Sequence, residues 1–348
     1  MKINLIKTAC ALIVLIGATV AVSSCKKEEQ PQTQYDATFY LGLRQENESC
    51  IYKGNQQLYK LEQDSWVYGL AAMPDGSIYA CGSVASEPAL WKDGKRIELN
   101  IGSGGYSSLY SMTVRGNDWL CCGSIFDTEG MYSVILKNGE LVYKSDTGIR
   151  FECMDCSDSG ECYVVASKGQ DISLLQIEPS SWKLVSSQII VTESENNVWE
   201  TSIHAGSSDI AVGISETDAQ KWESKARCWL NGTLIDIEER SSIRDLTFFA
   251  GYVVLGGSHE LILQHSPEEI EFRNSAIQWV NGAPQDFSYG CTGNSELRLL
   301  RNWNNLFLFQ CVDHDGGIQI CNNGALLLSI PLTQDTDVTS WDIVVKVI

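Results

Sequence analysis

The sequence predicts an all-β fold, a seven-bladed β-propeller of four-stranded antiparallel blades, on three observations. A turn phrase recurs: Leu90-Trp91-Lys92-Asp93-Gly94, Ile135-Leu136-Lys137-Asn138-Gly139, Trp229-Leu230-Asn231-Gly232, Trp279-Val280-Asn281-Gly282 and Cys321-Asn322-Asn323-Gly324. Asp-Gly and Asn-Gly suit a type I′ hairpin, whose two central residues both need positive φ. Around that phrase, four short alternating segments cycle in repeats of roughly 40–50 residues, the signature of propeller blades. Finally, the first repeat lacks its first strand, and a lone first strand stands at the end of the chain.

Residues 39–41, 50–52 and 58–61 supply the second, third and fourth strands of a first blade. The second blade takes 67–73, 78–82, 89–91 and 96–99, with Pro74-Asp75-Gly76 and Asp93-Gly94 as its turns. The third starts at Leu109 and continues through 119–122, 133–136 and 141–143. The fourth starts at Phe151, followed by 162–166, 172–177 and 182–185. The fifth runs from Glu200 through 210–213, 226–230 and 234–237. The sixth holds 243–249, 252–255 and 276–280, with a weak last strand near Phe287. The seventh holds 297–300, 306–309, 318–320 and 326–330, after which 340–345 completes the first blade. That closure removes the exposed sheet edge an open array would carry.

Hydrophobic content of 44% and charged content of 20% describe a globular chain. A net charge of −19 argues against nucleic acid or an anionic membrane surface as partner, since both need clustered Lys and Arg. The N-terminus has basic Lys2 and Lys7, then an apolar run over 9–22 that is too short for a stable membrane span. The run ends in Val22-Ser23-Ser24-Cys25, which resembles the lipobox of bacterial lipoproteins. The resemblance implies cleavage before Cys25 and acylation there, with palmitate-like chains holding the protein on a membrane. Lys26-Lys27-Glu28-Glu29 resembles the export tag of Bacteroidetes-type surface lipoproteins, with two lysines where the usual form has one. The expected organisation is a signal peptide (1–24), a lipidated Cys25 with polar tether (25–36) and a single propeller domain (37–348). The expected place is the outer membrane, facing the cell surface. No specific named propeller family matches the blades.

Cys81, Cys122 and Cys311 share one slot of the repeat, and Cys50, Cys228 and Cys321 share another, which reads as small buried groups. Cys153, Cys156 and Cys162 are the candidates for a bridge. Cys153-Met154-Asp155-Cys156 has redox and zinc spacing, but no second pair or histidine accompanies it, so no metal site is expected.

The connections 100–109, 188–200, 214–225, 257–275 and 287–296 look long and fall together on one face. Insertions gathered on one face of a repeat array mark the place to seek binding. That face would carry Trp199, Trp222, Tyr106 and Tyr289 among Glu193, Glu195, Glu216, Asp218 and Glu223, suited to a glycan or a protein ligand. The first strands surround the central channel, and aligning them on Leu70, Met112, Met154, Ile203, Leu246, Leu300 and Ile343 sets Glu152, Arg244 and Arg298 at one level. Asp245 and Asp342 follow one residue later. Such charges are costly to bury unless paired, so they mark either a ligand anchor or a structural ion-pair network. No cofactor is implied, and a structural cation among the channel acids stays open. No nucleophile elbow, P-loop or dinucleotide fingerprint occurs. The expectation is a binding or scaffold module; the alternative is a glycan-active hydrolase or lyase using the channel-mouth carboxylates and arginines.

Overall fold

Five of the recurring turn phrases fold identically. Asp93, Asn138, Asn231, Asn281 and Asn323 have φ between 47° and 51°, and the glycine after each is also positive. Each of these side chains has a second task. Its Oδ1 accepts the N–H that opens the blade's second strand: Ile78 (2.9 Å), Trp119 (3.1 Å), Ile210 (2.9 Å), Val253 (3.3 Å) and Leu308 (3.0 Å). The turn residue's own N–H donates to the carbonyl of the same residue. Asn or Asp before Gly therefore supplies a left-handed backbone and a bond that fixes the next hairpin, which is why the phrase repeats.

The computed structural model describes residues 35–101, 106–192, 196–218, 223–266, 269–287, 293–315, 317–332 and 336–347. Cys25, Glu193, Glu195, Trp222 and Tyr289 lie outside them. Blade 1 contains β1 (Tyr35–Gln45), β2 (Glu48–Lys53) and β3 (Gln56–Gln63). Blade 2 is β4 (Ser65–Ala72), β5 (Ile78–Val84), β6 (Glu87–Lys92) and β7 (Lys95–Ile97). Blade 3 is β8 (Ser108–Arg115), β9 (Asp118–Asp127), β10 (Gly130–Lys137) and β11 (Glu140–Lys144). Blade 4 is β12 (Arg150–Cys156), β13 (Cys162–Lys168), β14 (Asp171–Glu178) and β15 (Lys183–Val191). Blade 5 is β16 (Asn196–Ala205), β17 (Ile210–Asp218), β18 (Ser224–Leu230) and β19 (Thr233–Glu239). Blade 6 is β20 (Ser241–Phe249), β21 (Tyr252–Ser266), β22 (Glu269–Val280) and β23 (Ala283–Asp286). Blade 7 is β24 (Ser295–Trp303), β25 (Phe307–His314), β26 (Gly317–Asn322) and β27 (Ala325–Pro331). The last strand, β28 (Thr336–Val347), pairs with β1 and supplies the inner strand of blade 1. The sheets are seven and four-stranded, and the closure anticipated from the chain ends is present.

The core is divided in the same way. Each apolar cluster is built between two neighbouring blades, as where Ile172 and Val191 of blade 4 meet Ile203 and Val212 of blade 5. Trp91 and Trp279, both fully buried on third strands, reach back to the outer strand of the preceding blade. Their indole N–H groups donate to Glu62 (2.6 Å) and Glu238 (3.0 Å). Fully burying such a side chain stabilises by about 1.5–3 kcal/mol, so each seam is a separate contribution.

Two expectations change. Most of 214–225 and 257–275 is strand: β17 and β18 pair out to Thr217 and Ser224, and β21 and β22 pair out to Ser266 and Glu269. The strict alternation Glu269-Ile270-Glu271-Phe272-Arg273 carries that extension and is a strand pattern. The register through β28 also shifts. Gly42 faces Ser340 as Gly213 faces Ser202, so Trp341, not Ile343, takes the repeat position of Ile203 and Leu246. A two-residue slip keeps every side chain on its face, so apolar alternation cannot detect it. Asp342 thereby joins Asp155 and lies two residues beyond Asp245.

Candidate functional site

All six inner strands whose pairing is described break their ladder at the same end with a β-bulge. The register skips between Val67 and Gly69, Leu109 and Ser111, Phe151 and Cys153, Val198 and Glu200, Ile243 and Asp245, and Leu297 and Leu299. The extra residues are Tyr68, Tyr110, Glu152, Trp199, Arg244 and Arg298. A bulge residue is unpaired and re-aimed, which frees its side chain from the face that the ladder dictates. Four of the predicted site residues, Glu152, Trp199, Arg244 and Arg298, belong to this ring; the two tyrosines were missed.

The inner strands enclose a central channel of about 750 Å³, lined among others by Tyr68, Tyr110, Glu152, Trp199, Glu200 and Arg244. A side pocket of about 290 Å³ opens between blades 4 and 5 and shares Arg150, Glu152, Trp199, Glu200 and Thr201 with the channel. A second, of about 320 Å³, lies between blades 6 and 7 and shares Arg244 with it. Trp199 is 43% exposed, and the Arg244 guanidinium sits 4.7 Å from its ring centroid. Further round the mouth, Arg44 packs on Trp66, Trp66 stacks on Tyr68, and Tyr68 meets Tyr110 at 5.9 Å.

The charges pair differently from the single level suggested by the sequence. Glu152 accepts from Ser167 Oγ at 2.6 Å and pairs with Arg150 Nε at 3.3 Å, not with the other two arginines. Arg244 bridges Glu200 and Glu296, the latter through Nε at 2.5 Å. Arg298 Nε lies 3.1 Å from Glu296 and 3.2 Å from Asp313, near both but with its N–H directed at neither. Burial pushes the Glu200 carboxyl up to about 7; Arg244 pulls it down and Glu296 adds to the rise. Glu200 and Glu296, which the sequence places only at a strand start and a connection end, are both central to the cluster.

Asp245 and Asp342 have another task. Asp245 Oδ1 accepts from Leu246 N–H at 2.9 Å, and Oδ2 from Leu300 N–H of the next blade at 2.8 Å. Asp342 binds Ile343 N–H at 2.8 Å and Ala72 N–H at 2.7 Å in the same way. Asp155 repeats this on Cys156 (2.8 Å) and Ala205 (3.0 Å). These carboxylates clamp one inner strand to the next, with both oxygens engaged by backbone donors. Burial raises the pKa of Asp245 and Asp342 against these bonds and Arg301. The Cys153 and Cys156 side chains diverge: Cys153 Sγ meets Thr201 Oγ1 at 3.5 Å, and Cys156 Sγ meets Cys162 Sγ at 2.6 Å, directly across the hairpin. Among the described residues no group of three acidic, His or Cys side chains is placed to hold a metal.

This geometry settles the architecture. The chain is a seven-bladed β-propeller. A putative 6-phosphogluconolactonase from Bacteroides uniformis is similar to it over 88% of this chain and 99% of its own, at 14% identity and a TM-score of 0.52. A puromycin hydrolase mutant is similar at 8% identity and a TM-score of 0.55, over 84% of this chain and 52% of its own. No family model matches the sequence, and no curated protein does. At these identities the likeness is one of fold, and what the propeller does has to be argued from its site.

Proposed function

We propose that this propeller is the binding or scaffold module of an exported lipoprotein, anchored through Cys25 to the outer membrane and facing the cell surface, and that its glycan or protein ligand enters the channel mouth. The observation that carries the reading is the ring of bulge residues. It sets aromatic, acidic and basic side chains around a concave opening and joins the channel to a side pocket across Trp199. Concave sites with a few convergent polar groups are where ligands bind. A glycan and peptide array tests it: binding by the wild-type protein should fall in Trp199→Ala and persist when a tight-turn residue such as Asp93 is replaced, compared at equal folded fraction. Loss through the turn alone would place binding on the opposite face. The anchor is tested by metabolic labelling with a tagged fatty acid, which Cys25→Ala should abolish.

One observation favours a second reading, a glycan-active hydrolase or lyase. Glu200, with its pKa raised to about 7 by burial, is poised for proton transfer near neutrality. Slow cleavage of a bound glycan, lost in Glu200→Gln while binding remains, would support catalysis.

A further inference from the structure

We infer that the site takes an uncharged saccharide, one ring of which lies on Trp199 in the pocket between blades 4 and 5. This rests on the binding reading above and adds the class of ligand and its seat. A pyranose ring has an apolar C–H face and a rim of hydroxyls, so it needs an aromatic platform flanked by planar hydrogen-bonding groups. Trp199 supplies the platform: Arg244 covers part of it, yet the residue remains 43% exposed and lines both cavities. Arg150, Glu152, Ser167, Gln170 and Asn197 line the same pocket, offering donors and acceptors on short reach. Arg150 meets Glu152 through Nε, which leaves its Nη groups for a ligand hydroxyl. The pocket holds about 290 Å³, at the small end of ligand sites of about 300–1,000 Å³, and it opens into the larger channel. The two tyrosines of the bulge ring then offer further platforms along the channel wall.

The absence of charge on the ligand follows from the pairing. Arg150 and Arg244, the two arginines beside Trp199, are already paired with Glu152, Glu200 and Glu296. An anionic sugar would meet the carboxylates of the pocket and the field of a chain carrying −19 overall. A cationic peptide would meet Arg150 and Arg244 beside Trp199. A neutral polyol can accept from the guanidiniums and donate to the carboxylates without breaking either pair, which avoids leaving a charge unpaired.

The test uses the purified protein on an array of neutral, uronate-containing and sulfated oligosaccharides together with acidic and basic peptides, with calorimetry on the hits. Neutral oligosaccharides should bind. Trp199→Ala should weaken them roughly thirtyfold, the loss expected when an aromatic anchor is truncated. Arg150→Gln should weaken them less, Trp199→Phe should restore part of the affinity, and Val185→Ala on the outer strand should change nothing. Thermal melts confirm that each variant is folded. Binding confined to charged sugars or peptides would overturn the inference and leave a binding module standing. Neutral-sugar affinity that ignores Trp199 and Arg150 would overturn the seat. Binding of nothing at all would overturn both this inference and the reading beneath it.

Discussion

Removing the closing strand is the perturbation with the largest expected effect. Trp341 on β28 is 1% exposed and packs with Phe39, Leu41 and Leu43 of β1 and with Phe309 of blade 7. Trp341→Ala should cost about 3–5 kcal/mol, the range for truncating a large buried aromatic. Ending the chain before Ser340 also removes the half-buried Ile343 and Val345 and the Asp342 bond to Ala72, which ties blade 1 to blade 2. Together these losses reach on the order of 6 kcal/mol. Whole domains are stable by about 5–15 kcal/mol, so the truncated chain should sit near its folding threshold. It should also expose the edge of β1, which invites strand pairing between molecules. Circular dichroism melts and urea titration read the stability, and size-exclusion chromatography reads association. Trp341→Ala should lower Tm by roughly 6–20 °C. A truncated protein that stays monomeric and melts within a degree or two of the full chain would refute the idea that β28 completes blade 1 cooperatively.

Asn138→Ala should cost about 1–2 kcal/mol, from the lost bond to Trp119 N–H and the strain of positive φ at a residue with a Cβ, and should leave ligand affinity unchanged. Asn138→Gly keeps the backbone freedom and should cost less; equal losses measured by urea titration would count against the strain term. Asp245→Ala strands the N–H groups of Leu246 and Leu300 and should cost roughly 2–5 kcal/mol, with Asp245→Asn recovering part of it in thermal melts. Glu200, raised from 4.5 to about 7, gives a pH signature. Between those values the folded protein keeps a proton that the unfolded chain has released, so its contribution to stability falls as pH rises. Glu200→Gln should flatten that slope in melts taken across the window, and an unchanged slope would assign it to other groups.

The fold was legible because its determinants are local. An Asn before a Gly dictates its own hairpin, and the missing first strand at one end and the orphan at the other can be counted without knowing any contact. The site was only half legible. Glu152, Arg244 and Arg298 do share a level, because each follows the same apolar residue by one position. The partners of Arg244 could not be read, since Glu200 and Glu296 come from other strands and meet it only across blade seams. The sequence places Trp199 on the long-connection face, while its bulge, which turns it toward the channel, leaves no mark in hydrophobic alternation. Alternation also misled at β28, where Trp341 and Ile343 lie on one face and either could serve as the anchor. The pair Glu296 and Arg298, two apart in sequence, was the signal available for the missed acid.

The bulge ring separates what holds the propeller together from what it presents. A bulge residue contributes no regular rung to its sheet, so its identity can change while the hairpin turns and the aspartate clamps stay as they are. Six of the inner strands thus offer one substitutable position each at the mouth, and the six positions together already carry three aromatics, two bases and an acid. A lineage built on this scaffold could change ligands by exchanging those letters, Arg244 together with the two carboxylates it bridges, and a protein engineer could do the same with a small combinatorial library.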